Sequence, residues 1–366
     1  MTNIYNTTDL NKSGGYGMMS PAASSNGGSQ KSFSSVASFR SVTHPNFLKR
    51  LAKKQLDLKR DNFSGNQQKW NKIGQGHYAD VYKTHVKPKY QTEDAKPVEA
   101  AAKILKDRHG QTEFQNEALM LAEAHGLLDT CIVPVIGIFF PDKRDKPKDG
   151  DFWGFTRTML VTEFMHNGDA EKFLKIPENV IPHPLVLKWC KQLAKAAVFM
   201  NAHGIVHRDI GARNCFLDYD MDLKLGDFGL ARKSEGNQTV YNAISMGRAL
   251  PLPYLSVEAF QEMVFSHKSD IWAIAITFWE FYTRCEKVPY VGEIPAAQLA
   301  TDLDKGKRLR RPDLMPKSIY KLCEECWRKD PNDRPDGDEL LRKTSDICDR
   351  PLSFKINVDK CYARCF

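Results

Sequence analysis

The chain has 366 residues, 42% of them hydrophobic, so it is long enough to bury a sizeable core, and its net charge is +8. Nine cysteines at irregular spacing favour free thiols in a reducing cytosol over a disulfide framework. The apolar stretch at residues 269–280 offers about twelve residues where a membrane span needs about twenty, so it predicts a helix buried at the centre of a domain.

The first 66 residues differ in composition from the rest. Residues 1–44 are rich in Ser, Asn, Gly and Thr and have few apolar anchors, which predicts a disordered tail. Residues 45–66 are basic: residues 1–66 hold nine Lys or Arg and three Asp or Glu, most of the net charge. Within residues 47–60 the pattern predicts an imperfect amphipathic helix, with Leu56 opposite its apolar face. The positions on that face are Phe47, Leu48, Leu51 and Leu58.

This basic segment has two interpretations that the sequence leaves open. Residues 47–60 either bind an acidic membrane surface or a partner groove, or form a short helix packed on the following domain with their Lys and Arg in solvent. We favour the packed helix. Nucleic-acid binding is not expected, because no basic surface interleaved with aromatic residues is visible.

Residues 73–81 predict two strands joined by a turn. Gly74 and Gly76 let the backbone approach phosphate oxygens that a Cβ would repel, so the turn is a candidate lid over a nucleotide. Considered alone, the same stretch is more typical of an ordinary glycine-containing hairpin.

Lys103 lies in a short apolar run, residues 100–105, that predicts a buried strand, where a charge must find a partner. Glu117 is the predicted partner, in a helix whose apolar positions 114, 118 and 121 mark one face. Either residue alone is more typical of a solvated surface charge. Their order and spacing after the glycine-containing turn favour an ion pair between them.

Two loops carry the strongest signal in the chain. His207-Arg208-Asp209-Ile210-Gly211-Ala212-Arg213-Asn214 is followed, thirteen positions after Asn214, by Asp227-Phe228-Gly229. In this order they resemble the catalytic loops of the protein kinase catalytic domain. The pair Ala212-Arg213 resembles the tyrosine-kinase branch, because serine/threonine kinases usually carry Lys two residues after the catalytic Asp. The resemblance extends from Trp70 to about Ile347.

The resemblance implies an α+β, bilobal protein-kinase-like fold, with ATP held between the lobes. The kinase domain would occupy residues 67–347, followed by a C-terminal tail at 348–366. A small, mostly β N-lobe is expected at about residues 67–163 and a larger, mostly α C-lobe at about 168–347.

The same resemblance assigns the catalytic roles. Asp209 would be the catalytic base, and Arg213 would contact the reacting tyrosine side chain and the γ-phosphate. Asn214 and Asp227 would hold Mg²⁺ (or Mn²⁺), a hard cation that prefers oxygen ligands. Lys103 and Glu117 would form the ion pair on the α- and β-phosphates.

The resemblance also implies which residues contact ATP. Thr162 matches the gatekeeper, and backbone groups near Glu163 and Met165 would bond the adenine edge. Apolar positions among them are equally typical of ordinary core. The full implied set is Ile73, Gly74, Gln75, Gly76, Val81, Ala101, Lys103, Thr162, Glu163, Met165 and Leu217.

The chain departs from the family pattern at two places. Ala79 replaces the third lid glycine, which bears on nucleotide affinity more than on activity. In the activation segment, residues 227–258, Pro253 and Tyr254 replace the basic residue and the Trp that tyrosine kinases usually carry. That change lies in the wall that would meet the acceptor tyrosine, so it bears on substrate choice.

Three further roles follow from the family pattern. Tyr241 lies seventeen residues before Glu258, where a regulatory phosphotyrosine is common, and its cationic partners would be Arg208 and Arg232. Glu258 is expected to pair with Arg334. The family's buried aspartate that braces the catalytic loop corresponds to Asp270.

Three functions remain open from the sequence. The favoured one is an active protein tyrosine kinase acting on protein substrates that bear tyrosine, because every catalytic residue of the family pattern is present. The alternatives are a pseudokinase scaffold and a serine/threonine or dual-specificity kinase. The expected location is the cytoplasm, with peripheral membrane association through residues 47–60 as an option, because no secretory, myristoylation or prenylation signal is visible. The oligomeric state is left open.

Overall fold

The computed structural model shows two compact units, residues 1–127 with 133–164 and residues 128–132 with 165–366. We call them the N-terminal and C-terminal units. The first is mostly strand and the second mostly helix, so the expected α+β fold class is confirmed. The described residues are 5–6, 49, 51–64, 70–76, 79–92, 94–106, 111–141, 153–234, 239–240, 251–292 and 294–349.

The N-terminal unit is built on one twisted sheet. Its strands are β1 (Tyr5–Asn6), β2 (Asp57–Leu58), β3 (Phe63–Ser64), β4 (Asn71–Gln75), β5 (Ala79–Val86), β6 (Val98–Leu105), β7 (Val135–Phe139) and β8 (Met159–Glu163). The strand order is β1-β4-β5-β6-β8-β7-β2, and β3 also pairs with β5. β1 and β2 join in parallel, and the other pairs are antiparallel. Helix α1 (Gln111–Ala124) accompanies the sheet.

One face of the central strands forms the core of this unit. Tyr82, Ala102 and Val161 are neighbours across β5, β6 and β8, and all three are buried. They belong to a cluster whose aromatic members meet edge to face, with Phe63 and Phe155 ring centroids 5.3 Å apart. Because side chains alternate along a strand, the residues between them must point to the opposite face.

Residues 51–58, which precede the kinase-like region, pack within the N-terminal unit and do not form one continuous helix. Its helical turn ends at residue 53, Gln55 adopts a positive φ of 56°, and β2 follows. Leu51, Leu56 and Leu58 are all buried within the N-terminal unit. The predicted helix to residue 60 is therefore wrong, because Leu56 and Leu58 alternate as in a strand. Their burial favours packing on the unit over a membrane-facing apolar stripe.

The C-terminal unit packs its helices around a central one, α5. The helices are α2 (Ala170–Lys175), α3 (His183–Ala202), α4 (Val257–Gln261), α5 (His267–Tyr282), α6 (Leu299–Asp304), α7 (Lys317–Cys326) and α8 (Gly337–Cys348). The expectation of a buried helix at 269–280 is confirmed, since every α5 residue from Ser269 to Tyr282 is buried. Among the described residues, no helix has the length and apolarity required to cross a membrane.

Short strands flank the loops of this unit. They are β9 (Gly168–Asp169), β10 (Ile205–Val206), β11 (Cys215–Leu217), β12 (Leu223–Leu225), β13 (Arg232–Lys233), β14 (Thr239–Val240) and β15 (Val264–Phe265). Seven cysteines fall among the described residues, and all are free. Tyr241, residues 350–366 and the tail at 1–44 apart from β1 lie outside the described residues.

Candidate active site

The loop that carries Asp209 is fixed at its start by a buried carboxylate. Asp270, near the N-terminus of α5, accepts the backbone N–H of His207 at 2.7 Å and that of Arg208 at 2.9 Å. Burial raises the pKa of Asp270 to about 7, although both backbone bonds oppose that rise. The predicted contact of Asp270 with the loop at 207–214 is therefore formed.

The neutral imidazole of His207 forms hydrogen bonds to two loops. Its Nδ1 accepts the Asp209 N–H at 3.3 Å, so its Nε2 must carry the proton that it donates to the Gly226 carbonyl at 3.1 Å. Burial lowers the pKa of His207, which agrees with a neutral ring. Its ring also contacts Phe228, with centroids 4.6 Å apart. The imidazole thus ties the loop at 207–214 to the one at 226–229.

The Asp209 carboxylate is held from two sides. Its Oδ1 accepts a hydrogen bond from Arg213, and its Oδ2 accepts one from Asn214 Nδ2 at 3.1 Å. Asn214 Nδ2 also donates to the Asp209 carbonyl at 2.6 Å. Both bonds to Asn214 use its amide nitrogen, which leaves the amide oxygen as the ligand atom of that side chain.

The two predicted metal ligands lie at the same end of a small hairpin. β11 and β12 are antiparallel, with Cys215 opposite Leu225, and Gly226 N–H donates to the Asn214 carbonyl at 2.9 Å. Asp227 follows in the left-handed region, with φ of 53° and ψ of 63°. An amide oxygen and a carboxylate suit Mg²⁺, which usually takes few protein ligands and completes its shell with water and phosphate. No group of three or more His, Cys, Asp or Glu with metal-ligand spacing occurs in the described part of the chain.

In the N-terminal unit, the predicted Lys103–Glu117 contact is formed. Lys103 Nζ lies 2.6 Å from Glu117 Oε2, and the Glu117 side chain on α1 is only 7% exposed. Lys103 sits on the face of the sheet opposite the core. Val81 is its partner across β5 and β6, and Ala101 and Thr162 pair across β6 and β8 on the same face. Sheet register alone therefore brings four of the predicted nucleotide-binding residues together.

The predicted lid is the turn between β4 and β5. A Cβ on Gly76 would lie 3.2 Å from the Ala79 carbonyl, which accepts the Gly76 N–H at 2.7 Å. Ala79 is a buried residue of β5 paired with Leu105, and its φ is not positive. The backbone at position 79 therefore has no need of glycine. Gly74 and Gln75 lie on β4 opposite Val81 and Asp80, and Ile73 lies at a register shift between Lys72 and Gly74.

The remaining predicted positions lie at the end of β8 and in the first part of the C-terminal unit. Glu163 is exposed at the end of β8, and its N–H donates to the Pro134 carbonyl at 2.9 Å. Met165 is buried and its carbonyl accepts the Gly168 N–H at 3.1 Å, while Leu217 is buried in β11 of the C-terminal unit.

Downstream, the predicted Glu258–Arg334 pair is confirmed as a two-pronged contact. Arg334 Nη1 and Nη2 lie 2.7 and 2.8 Å from the two Glu258 oxygens, and the Arg334 side chain is fully buried. Sequence reasoning missed Glu280, whose carboxylate accepts the Ala212 N–H at 2.9 Å. A charged residue inside an otherwise apolar helix was the signal that could have found it.

These loops and strands match a known domain. The family model described as protein tyrosine and serine/threonine kinase covers residues 68–344. The chain belongs to this family. Among curated relatives, this kinase is 30% identical to human receptor tyrosine-protein kinase erbB-4 over 292 residues, covering 78% of this chain and 20% of that protein.

Two relatives from Drosophila melanogaster are similarly close. Tyrosine-protein kinase hopscotch is 28% identical over 291 residues, covering 78% of this kinase and 22% of the relative. Tyrosine-protein kinase Shark is 31% identical over 265 residues, covering 72% and 26%. The chain thus spans between a fifth and about a quarter of the length of these curated relatives. Their names confirm the tyrosine-kinase branch that Ala212-Arg213 indicated.

Proposed function

We propose that this kinase transfers the γ-phosphate of ATP to tyrosine hydroxyls of protein substrates, with Mg²⁺ or Mn²⁺ as the cofactor. The observation that carries the proposal is the Asp209 carboxylate, held by Arg213 and Asn214 in a loop braced by Asp270. A carboxylate fixed in this way suits a base that must meet one hydroxyl in one orientation.

Each residue then has one task. Asp209 orients the tyrosine hydroxyl and takes its proton as the oxygen–phosphorus bond forms and the bond to the β–γ bridging oxygen breaks. Arg213 stabilises negative charge beside the acceptor. Asn214 and Asp227 offer oxygen ligands to the metal ion, which neutralises phosphate charge when bound. Lys103, held by Glu117, binds the α- and β-phosphates.

The finer assignments are part of the same proposal. The sheet face with Val81, Ala101 and Thr162 would bind the adenine, together with backbone groups near Glu163 and Met165. Leu217 would also contact the adenine, and the turn with Gly74 and Gly76 would cover the phosphates. Phosphorylation of Tyr241 would regulate activity through Arg208 and Arg232, and the protein would act in the cytoplasm.

The test is phosphotyrosine formation by the purified protein with MgATP, on itself and on a mixed Tyr, Ser and Thr peptide pool. We expect tyrosine signal that falls at least about 100-fold in Asp209→Asn, which keeps the side chain's size but removes the base. Mass spectrometry of the same reaction should find phosphate on Tyr241.

Other outcomes point to the other candidates. Bound ATP without transfer by the wild type would indicate a pseudokinase scaffold, and signal on Ser or Thr would indicate a broader acceptor range. An active enzyme with unmodified Tyr241 would remove the regulatory role and leave the catalytic proposal standing.

A further inference from the structure

Tyr254, the residue that replaces the usual Trp, reaches a buried carboxylate. It ends a short 3-10 helix, Leu252–Tyr254, and its hydroxyl donates to Glu280 Oε1 at 2.6 Å. Burial and the neighbouring Glu280 raise the pKa of Tyr254 well above its usual value, so the hydroxyl keeps its proton and remains the donor. This contact depends on the phenolic oxygen, which Phe lacks.

Glu280 connects that hydroxyl to the catalytic loop. Its second oxygen, Oε2, accepts the Ala212 N–H at 2.9 Å, and the residue is 3% exposed on α5. One carboxylate is therefore shared between Tyr254 and the residue immediately before Arg213. Without the phenolic donor, Glu280 Oε1 would be left in a buried environment with one bond fewer.

The ring of Tyr254 makes a second, separate contact. The guanidinium carbon of Arg213 lies 4.6 Å from the ring centroid, while its Nη2 bonds Asp209. Gly211 leaves room for this stack: a Cβ there would lie 2.8 Å from Arg213 Nη1 and 3.2 Å from Tyr254 Cε1. With φ of −174°, Gly211 is extended, so space and not backbone conformation requires a glycine.

We propose that Tyr254 is the positioning residue of the acceptor side of the site, acting through Glu280 on Ala212 and through its ring on Arg213, and so on Asp209. The proposal rests on the proposed tyrosine kinase function for its kinetic consequence, although the contacts themselves do not depend on it. One side chain thus reaches the loop at 207–214 twice, through Glu280 and directly at Arg213, which exceeds what filling the core would require.

The experiment compares Tyr254→Phe with the wild type in the full chain. Tyr320→Phe is the matched control, because it also removes a tyrosine hydroxyl bond, to the Leu309 carbonyl at 2.9 Å, away from the catalytic loop. The first measurement is steady-state phosphorylation of a synthetic Glu/Tyr copolymer. We expect Tyr254→Phe to lower kcat/KM for the copolymer about tenfold, or ~1.4 kcal/mol, with the KM for ATP changed less than about twofold.

The second measurement is amide hydrogen exchange of the peptide covering residues 207–214, which needs no catalytic activity. We expect faster exchange there in Tyr254→Phe and unchanged exchange in Tyr320→Phe. A wild type that forms no phosphotyrosine would end the proposed function, and the exchange result would then decide the positioning role alone.

Exchange and copolymer kinetics that both match the wild type in Tyr254→Phe would overturn the inference. An equal loss in Tyr320→Phe would do the same, because it would mark a general effect of stability. If Tyr254→Phe does not fold, Glu280→Asp replaces it, because the shorter side chain removes the acceptor of the same hydrogen bond. Copolymer kinetics and hydrogen exchange are then measured on Glu280→Asp, and we expect the same directions of change.

Discussion

The Asp80 carboxylate forms ion pairs with two lysines beside the predicted lid. Lys106 Nζ lies 3.1 Å from Asp80 Oδ1, and Lys72 Nζ lies 3.2 Å from Oδ2. Lys106 also donates to the Gly76 carbonyl at 2.8 Å, so it links the carboxylate to the backbone of the turn. The side chain of Lys106 therefore sets the position of the lid glycine in a way that Lys72 does not.

Replacing Lys106 by Met should loosen the lid. We expect Lys106→Met to raise the KM for ATP about three- to tenfold with little change in kcat, because the lost contact orders the turn before nucleotide binds. Lys72→Met is the control: it removes an Asp80 partner and a bond to the Gln75 side chain at 3.1 Å, but it leaves the bond to Gly76. Nucleotide titration of the steady-state rate measures both variants, and equal effects would show that net charge and not the bond to Gly76 matters.

At the scale of elements, Gly137 allows β2 to lie against β7. The Ile138 N–H donates to the Leu56 carbonyl at 2.7 Å, which brings the two strands together. A Cβ on Gly137 would lie 2.6 Å from the Leu56 carbonyl oxygen and 2.7 Å from Leu58 Cγ. A glycine in mid-strand is thus explained by the segment that packs on it.

Gly137→Ala should therefore displace this segment. We expect a loss of about 1–3 kcal/mol in the free energy of unfolding and faster tryptic cleavage within residues 51–60, because overpacking forces the backbone of β2 away. Urea unfolding and timed digestion measure the two effects. Adding Leu58→Ala should restore part of the loss through coupling between the two sites; strictly additive losses would contradict the contact.

The strand β2 also shows where sequence reasoning ends. The loop at 207–214 and the Lys103–Glu117 pair could be predicted, because their residue types and spacing resemble a family pattern. Leu56 and Leu58 suit a helix or a strand, and only the presence of β7 decides between them. Tyr254 and Glu280 are 26 residues apart and follow no local pattern, so their contact required the fold.

For the C-terminal unit as a whole, α5 holds the catalytic loop at two points. Asp270 takes the amides of His207 and Arg208, and Glu280 takes that of Ala212. The two carboxylates are ten residues apart on one helix, or about 15 Å along its axis. Both carboxylates lie in the buried part of α5, so one helix sets the separation between the two held points of the loop.

This arrangement gives the protein a pH-dependent stability. Burial raises the pKa of Asp270 and of Glu280 to about 7 in the folded state, against about 4 in the unfolded chain. Arg208 and backbone N–H groups surround Asp270. Tyr254, Arg213 and the Ala212 N–H face Glu280, with Glu171 as a nearby like charge.

Between about pH 4 and pH 7 the folded state binds these protons more tightly than the unfolded state does. The contribution of both carboxyl groups to the free energy of unfolding must therefore fall as pH rises through that window. We expect the free energy of unfolding, measured with urea at several pH values, to fall less steeply with rising pH in Glu280→Gln than in the wild type. The reason is that the variant removes one of the two titrating groups. Glu339→Gln, at a partly exposed pair with Lys343, is the matched control. A slope unchanged in Glu280→Gln would mean that Glu280 titrates alike in both states and that α5 holds Ala212 with a carboxylate ionised throughout.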